Sequence, residues 1–346
     1  MKNKVLYYKN QFKLSSTQFL SEFELSYQTY GKLNKTRDNC ILIFHALTGD
    51  CNVSDNGWWS DIVGSNKVVD TNKFFVVCST VLGSCKGSTN PSSINPETQK
   101  PYYLDFPSLS ITDMVNAQKK LLDHLEIKRI HCVIGGSMGG MLALKWSILF
   151  SEITAKVIVI ASACKLTPQA LAFNTVAQNA IIYDSNWKSF SDEVSFNRGL
   201  AVARMIGHIT YLSKTTIEKK FGRNKRNDGE TDDKFEIENY LKYQGEKFMK
   251  SFDPYSYVCL AKAMANFDLE KEYESLEKAF MNTSCKFLIL SISSDWLYPS
   301  CESRKIAKQL MRLNKEVTYT EINSEFGHDS FLIEQLKFGE YIQLFI

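Results

Sequence analysis

No apolar run in the chain reaches the about 18 residues that a membrane-spanning helix requires, so no membrane partner is expected. Cys-x-x-Cys pairs are absent, which argues against a structural zinc site, and no metal is expected. Surplus charge is nearly absent too. The chain has 41 Lys and Arg against 38 Asp and Glu, a net of +3, which is too little for the basic footprint of a nucleic-acid binder. The basic start Met1-Lys2-Asn3-Lys4 is not followed by an apolar segment of about 7–15 residues, so no secretory signal is expected. Internal repeats and low-complexity segments are missing. A content of 44% apolar and 23% charged residues excludes a mainly disordered chain, a collagen-like chain and a coiled-coil rod.

What is present suits a globular protein of the cytoplasm. The 346 residues allow one large domain or two ordinary ones. The nine cysteines are an odd number, and Cys78, Cys132 and Cys164 lie in apolar runs. Buried, reduced thiols in a reducing compartment follow from that.

Short apolar, β-branched runs recur at Cys40–Phe44, Phe74–Cys78, Ile130–Ile134, Lys156–Ile160, Lys286–Ile292 and Val317–Ile322. Runs without alternation suit strands buried on both faces. Between them, helical spacing predicts helices over Ile111–Leu125, with Thr112 available as an N-cap, over Met138–Phe150 and over Ser303–Leu313. Strand followed by helix, repeated, defines an α/β class with a mostly parallel sheet flanked by helices. The rhythm breaks between residues 165 and 281, where helical patterns dominate. The organisation read from this is a core of residues 1–164 and 282–346 with a helical insertion, 165–281. Within the insertion, the charged stretch from Lys219 to Lys234 reads as a solvated loop.

Gly135-Gly136-Ser137-Met138-Gly139-Gly140 follows one predicted strand and opens a predicted helix. That is the context of a nucleophile elbow, in which small residues two before and two after the serine relieve clashes in a tight turn. The serine then stands at a helix N-terminus, where free N–H groups stabilise negative charge. The run lacks the ending of a P-loop and the glycine spacing of a dinucleotide fold, so phosphate cradling is disfavoured. In such folds an acid and then a histidine follow the serine. Asp295 comes directly after the strand Lys286–Ile292, and His328 lies just past the last predicted strand. His328 would take the Ser137 proton, and Asp295 would fix the imidazole tautomer. The oxyanion would meet the N–H of Met138 and a second N–H from the loop His45-Ala46-Leu47-Thr48-Gly49, which follows the first of these strands.

Six blocks together resemble the homoserine O-acetyltransferase family of the α/β-hydrolase fold. They are His45–Asp50, Pro91–Pro96, Gly135–Gly140, Arg204–Tyr211, Ser294–Pro299 and Gly327–Leu332. The resemblance covers nearly the whole chain, from about Phe12 on. It implies acetyl transfer from acetyl-CoA, a substrate rather than a tightly bound cofactor, to L-homoserine on the route to methionine. It further implies Ser137 as acyl carrier, Asp295 and His328 as its partners, and Leu47 as the second oxyanion donor. Arg204, assisted by Tyr211, would hold the substrate carboxylate and Asp329 its ammonium. A homodimer joined through the helical insertion is also implied. Three positions depart from the family pattern. Asn90 and Tyr103 stand where glycine is expected, and Thr112 where arginine is usual. Succinyl-CoA as donor, L-serine as acceptor and an esterase activity remain alternatives on the residues themselves.

Overall fold

A computed structural model describes residues 3–187, 197–226 and 234–346. Eight strands build one sheet: β1 (Lys4–Tyr8), β2 (Phe23–Tyr30), β3 (Cys40–Phe44), β4 (Phe75–Ser79), β5 (Ile130–Gly136), β6 (Thr154–Ile160), β7 (Lys286–Ile292) and β8 (Val317–Ile322). Their spatial order is β1-β2-β4-β3-β5-β6-β7-β8. β2 runs antiparallel to both β1 and β4, and the remaining neighbours pair in parallel.

The apolar runs work because side chains alternate between two covered faces. Leu42, Phe44, Val133, Val157 and Phe287 join one buried cluster. Their neighbours Ile41, Ile43, Cys132, Ile134 and Ile158 join the other. Cys78, Cys132 and Cys164 are buried free thiols, and burial pushes each well above the usual thiol range.

The first two flanking helices are α1 (Ile111–His124) and α2 (Met138–Leu149). The cap of α1 is Ser110, not Thr112. Ser110 Oγ accepts from the Asp113 N–H at 3.1 Å, and the Asp113 carboxylate accepts from the Ser110 N–H at 2.8 Å. This reciprocal pair satisfies two donors, and Thr112 already lies within the first turn. Between β6 and β7 come α3 (Pro168–Ile182), α4 (Arg198–Tyr211), α5 (Lys214–Phe221), α6 (Glu236–Met249), α7 (Pro254–Ala265), α8 (Leu269–Glu272) and α9 (Leu276–Phe280). Then follow α10 (Ser300–Arg312), α11 (Ser330–Ile333) and α12 (Gln335–Phe345).

The stretch from Lys219 to Lys234 is not simply a loop. It includes the end of α5, and Lys225–Arg226 pairs antiparallel with Lys234–Phe235. The Phe221 ring packs at a tilt against Tyr240, centroids 4.8 Å apart, and the cations of Arg223 and Lys225 sit over the Phe235 ring. Aromatic anchors thus fold a segment whose charge suggested only solvation. Residues 227–233 of it lie outside the described residues. Among the described residues, no helix is long and apolar enough to cross a membrane.

Candidate active site

β5 ends at Gly136, α2 begins at Met138, and Ser137 makes the turn with φ 57° and ψ −122°. A non-glycine residue held there is strained, and the surroundings hold it. The Ser137 N–H donates to the Ile160 carbonyl at 2.9 Å, and its carbonyl accepts from Ser162 Oγ at 2.8 Å. The two flanking glycines are required by space. A Cβ on Gly135 would lie 2.0 Å from the Gly139 carbonyl oxygen, and one on Gly139 would lie 2.2 Å from that of Phe44.

The structure brings Ser137, His328 and Asp295 together although they come from three separate strand ends. His328 Nε2 lies 2.9 Å from Ser137 Oγ. His328 Nδ1 lies 2.7 Å from Asp295 Oδ2. The other carboxylate oxygen, Oδ1, accepts from the N–H groups of Leu297 and Tyr298 at 3.0 and 2.9 Å. All three residues are buried. Burial pushes the His328 imidazole toward its neutral form, but the Asp295 carboxylate and, more weakly, Asp329 outweigh it, so its pKa is raised above the usual value. Tyr298 stands 5.1 Å and Tyr211 6.0 Å from the His328 ring.

Leu47 and Ser137 line one cavity with Phe173, Tyr211, Tyr257 and Tyr298. Met138 occupies the first position of α2, so its N–H has no acceptor within the helix. The Leu47 N–H has no acceptor among the described residues. Its loop contains His45, whose ring contacts no sequence pattern revealed: Nδ1 faces the Ala46 carbonyl at 2.7 Å and Nε2 the Val81 N–H at 2.9 Å.

Arg204 projects from α4, with its guanidinium 4.9 Å from the Phe248 ring centre and 6.0 Å from that of Tyr211. It makes no ion pair among the described residues. Asp329 follows His328 and is likewise without a hydrogen bond or ion pair there. Burial raises the Asp329 pKa, while His328 and Arg204 pull it down. The Arg204 guanidinium is therefore close enough to act on the Asp329 carboxyl without forming an ion pair with it. One turn beyond Arg204, burial followed by the charges of Arg204 and Lys220 pushes His208 down to about 4, so it is neutral. Its Nδ1 meets the Tyr240 hydroxyl at 2.9 Å, a pairing that sequence spacing did not suggest.

The loops bearing the acid and the histidine are tied to the junction of α4 and α5. Trp296 Nε1 donates to the Leu212 carbonyl at 3.0 Å. Thr216 Oγ1 donates to the Glu325 carbonyl at 2.7 Å, and Ser213 Oγ bonds the same oxygen. The departures from the family pattern lie elsewhere. Asn90 closes a local turn by accepting from the Ser92 N–H at 2.9 Å. Tyr103 has φ 44°, a backbone state that favours glycine, and its ring packs 5.0 Å from that of Tyr255.

A mostly parallel sheet, a strained serine between a strand and a helix, and a histidine–aspartate relay define an α/β-hydrolase-fold protein. The sequence pattern described as the alpha/beta hydrolase fold matches residues 39–335. Similarity is much closer to one branch. The chain is 48% identical to a homoserine O-acetyltransferase of Methanohalobium evestigatum, over 96% of this chain and 71% of that protein. It is 46% identical to one of Pelagibacter ubique, over 96% of this chain and 94% of that protein. The chain belongs to the homoserine O-acetyltransferase family. A crystal structure of homoserine O-acetyltransferase from Bacillus anthracis superposes with TM-score 0.92 at 25% identity, covering 99% of this chain and 97% of that one. An esterase structure superposes with TM-score 0.90 at 26% identity, covering 99% of both chains.

Proposed function

We propose that this protein transfers the acetyl group of acetyl-CoA to the side-chain hydroxyl of L-homoserine through an acetyl-Ser137 intermediate. The observation that carries the acceptor is the unpaired Asp329, next to His328, with the unpaired Arg204 close enough to act on it. A zwitterionic amino acid needs one cation and one anion held apart, and a guanidinium grips a carboxylate with two parallel bonds. Arg204, with Tyr211, takes the carboxylate, and Asp329 takes the ammonium.

In the first half-reaction Ser137 Oγ attacks the thioester carbonyl carbon as His328 Nε2 accepts its proton. The C=O electrons collect on oxygen, opposite the N–H groups of Met138 and Leu47. They return as the C–S bond breaks, and the imidazolium protonates the departing CoA thiolate. In the second half, His328 takes the proton of the homoserine hydroxyl, whose oxygen attacks the acetyl carbon. The bond to Ser137 Oγ breaks, and His328 returns the proton to Ser137. Asp295 holds the imidazole in the Nδ1–H tautomer throughout. Making the hydroxyl an ester turns it into a leaving group for a later displacement, which suits the place on the route to methionine that the family resemblance implies.

The cavity beside Ser137 is lined by apolar and neutral residues, without lysine or arginine among the described ones. The helices over 165–281 act as a lid that limits competing water. Their exposed Val176, Val202, Ile209 and Tyr243 suit a homodimer joined through them, in the cytoplasm.

The likeness to an esterase structure favours hydrolysis as the second reading. Intact-protein mass spectrometry with acetyl-CoA or succinyl-CoA, each chased with L-homoserine or L-serine, separates the outcomes. An acetyl adduct that L-homoserine discharges, and that Ser137→Ala fails to form, is expected. Discharge by water at the same rate would favour the esterase. Substantial transfer by Ser137→Ala would overturn the covalent scheme.

A further inference from the structure

His45 follows β3 and is completely buried, yet the scheme above gives it no task. Both of its ring nitrogens are engaged: Nδ1 with the Ala46 carbonyl at 2.7 Å and Nε2 with the Val81 N–H at 2.9 Å. A carbonyl can only accept and a backbone N–H can only donate. The partners therefore dictate the tautomer, with the proton on Nδ1 and the lone pair on Nε2. Burial also pushes this imidazole away from its charged form.

The Ala46 carbonyl is held from a second side by the Gly49 N–H at 2.9 Å. That carbonyl and the Leu47 N–H belong to one peptide group. In a planar trans peptide, C=O and N–H point in opposite directions. No peptide bond of the described chain is cis. Holding the carbonyl toward His45 therefore turns the Leu47 N–H the other way, and that N–H has no acceptor among the described residues. Leu47 lines the cavity that contains Ser137. A flipped peptide would instead turn a carbonyl oxygen toward the site of the oxyanion, where like partial charges repel. Val81 follows β4, the sheet neighbour of β3, so the ring also fastens this loop to the next strand exit.

We propose that His45 is a positioning residue of the oxyanion pocket: its Nδ1–H grips the Ala46 carbonyl and thereby aims the Leu47 N–H at the oxyanion formed on the Ser137 adduct. The inference rests on the acyl-Ser137 scheme.

Two substitutions split the contacts of the ring. In His45→Asn the side-chain NH2 stands near the Nδ1 position and can still donate to Ala46. In His45→Gln the amide oxygen reaches the Nε2 position and can accept from Val81, but the grip on Ala46 is lost. Acetylation of Ser137 by acetyl-CoA, followed by rapid-quench mass spectrometry, should show the acylation rate constant lowered by about 10²–10³ in His45→Gln with the half-saturating acetyl-CoA concentration little changed, the mark of an interaction made in the transition state. His45→Asn should recover most of that loss. Equal rates for the two variants, or a faster His45→Gln, would overturn the proposal, because packing or the Val81 anchor would then be what matters. Should neither variant fold, 15N NMR of wild-type His45 decides. A neutral ring protonated at Nδ1 supports the proposal, and one protonated at Nε2 refutes it. Wild-type protein is acylated alongside. If it forms no acyl-Ser137, the catalytic scheme itself fails and the inference falls with it. If it acylates and His45→Gln keeps pace, only the inference fails.

Discussion

Asp295 meets His328 with a single oxygen, Oδ2 at 2.7 Å, because its other oxygen is already taken by the N–H groups of Leu297 and Tyr298. The carboxylate cannot rotate without abandoning two backbone donors. This predicts the behaviour of Asp295→Asn. Those donors will hold the amide oxygen, which turns the NH2 toward His328 Nδ1. Nδ1 must then accept, the ring proton moves to Nε2, and Ser137 loses its base. Acylation should fall by about 10⁴ with the fold intact. A fall of less than about tenfold, measured by pre-steady-state acylation, would remove Asp295 from the relay.

The raised pKa of His328 sets a pH limit. The imidazole must be neutral to accept the serine proton, so acylation is lost as pH falls through the folded-state pKa, above the usual histidine value. Asp329 contributes to that elevation. In Asp329→Asn, the acid limb of kcat/KM for acetyl-CoA should therefore move to lower pH. A limb that stays in place would mean that Asp329 does not act on His328.

Arg204→Ala should separate the two half-reactions. A charged hydrogen bond to a carboxylate contributes about 1.5–3 kcal/mol, so kcat/KM for L-homoserine should drop roughly 10- to 100-fold. Acylation by acetyl-CoA should be nearly unchanged. Stopped-flow measurement of each half-reaction tests this, and equal losses in both would place Arg204 elsewhere in the scheme.

Gly139→Ala tests the elbow as architecture. Its Cβ would meet the Phe44 carbonyl oxygen at 2.2 Å, and that oxygen belongs to a buried central strand. Overpacking of this kind costs about 1–3 kcal/mol, and urea unfolding should show it. Unchanged stability would mean that α2 can shift away from β3.

The strands legible in the sequence are those buried on both faces, where an apolar residue is required at every position. β1 and β2 escaped because their pattern is mixed. Gln28 is polar and buried, yet β2 keeps it because Asn3 Oδ1 accepts from its amide at 2.7 Å and Tyr30 bonds to it too. Sequence does not single out the cap of α1, because Ser110 and Thr112 are both hydroxyl residues and only the reciprocal bond with Asp113 separates them. The elbow was legible because its sterics dictate glycine at fixed offsets. Arg204 and Asp329 lie far apart in the chain, and only resemblance joined them to one site. His45 lies in the loop after β3, but which carbonyl its ring faces depends on the fold of β3 against β4, which spacing does not encode.

The bonds from Trp296 to Leu212, and from Ser213 and Thr216 to Glu325, have a bearing on traffic through the enzyme. A helical cover bonded to the loops of both the acid and the histidine would have to break those bonds to swing aside. The cavity would then serve as a vestibule whose walls are shared with the triad loops. On the proposed scheme two substrates that need the same serine would use it in turn, with CoA leaving the passage before the amino acid reaches the acetyl group. Alternation between donor and acceptor would follow from the masonry of the site, with no moving gate to enforce it.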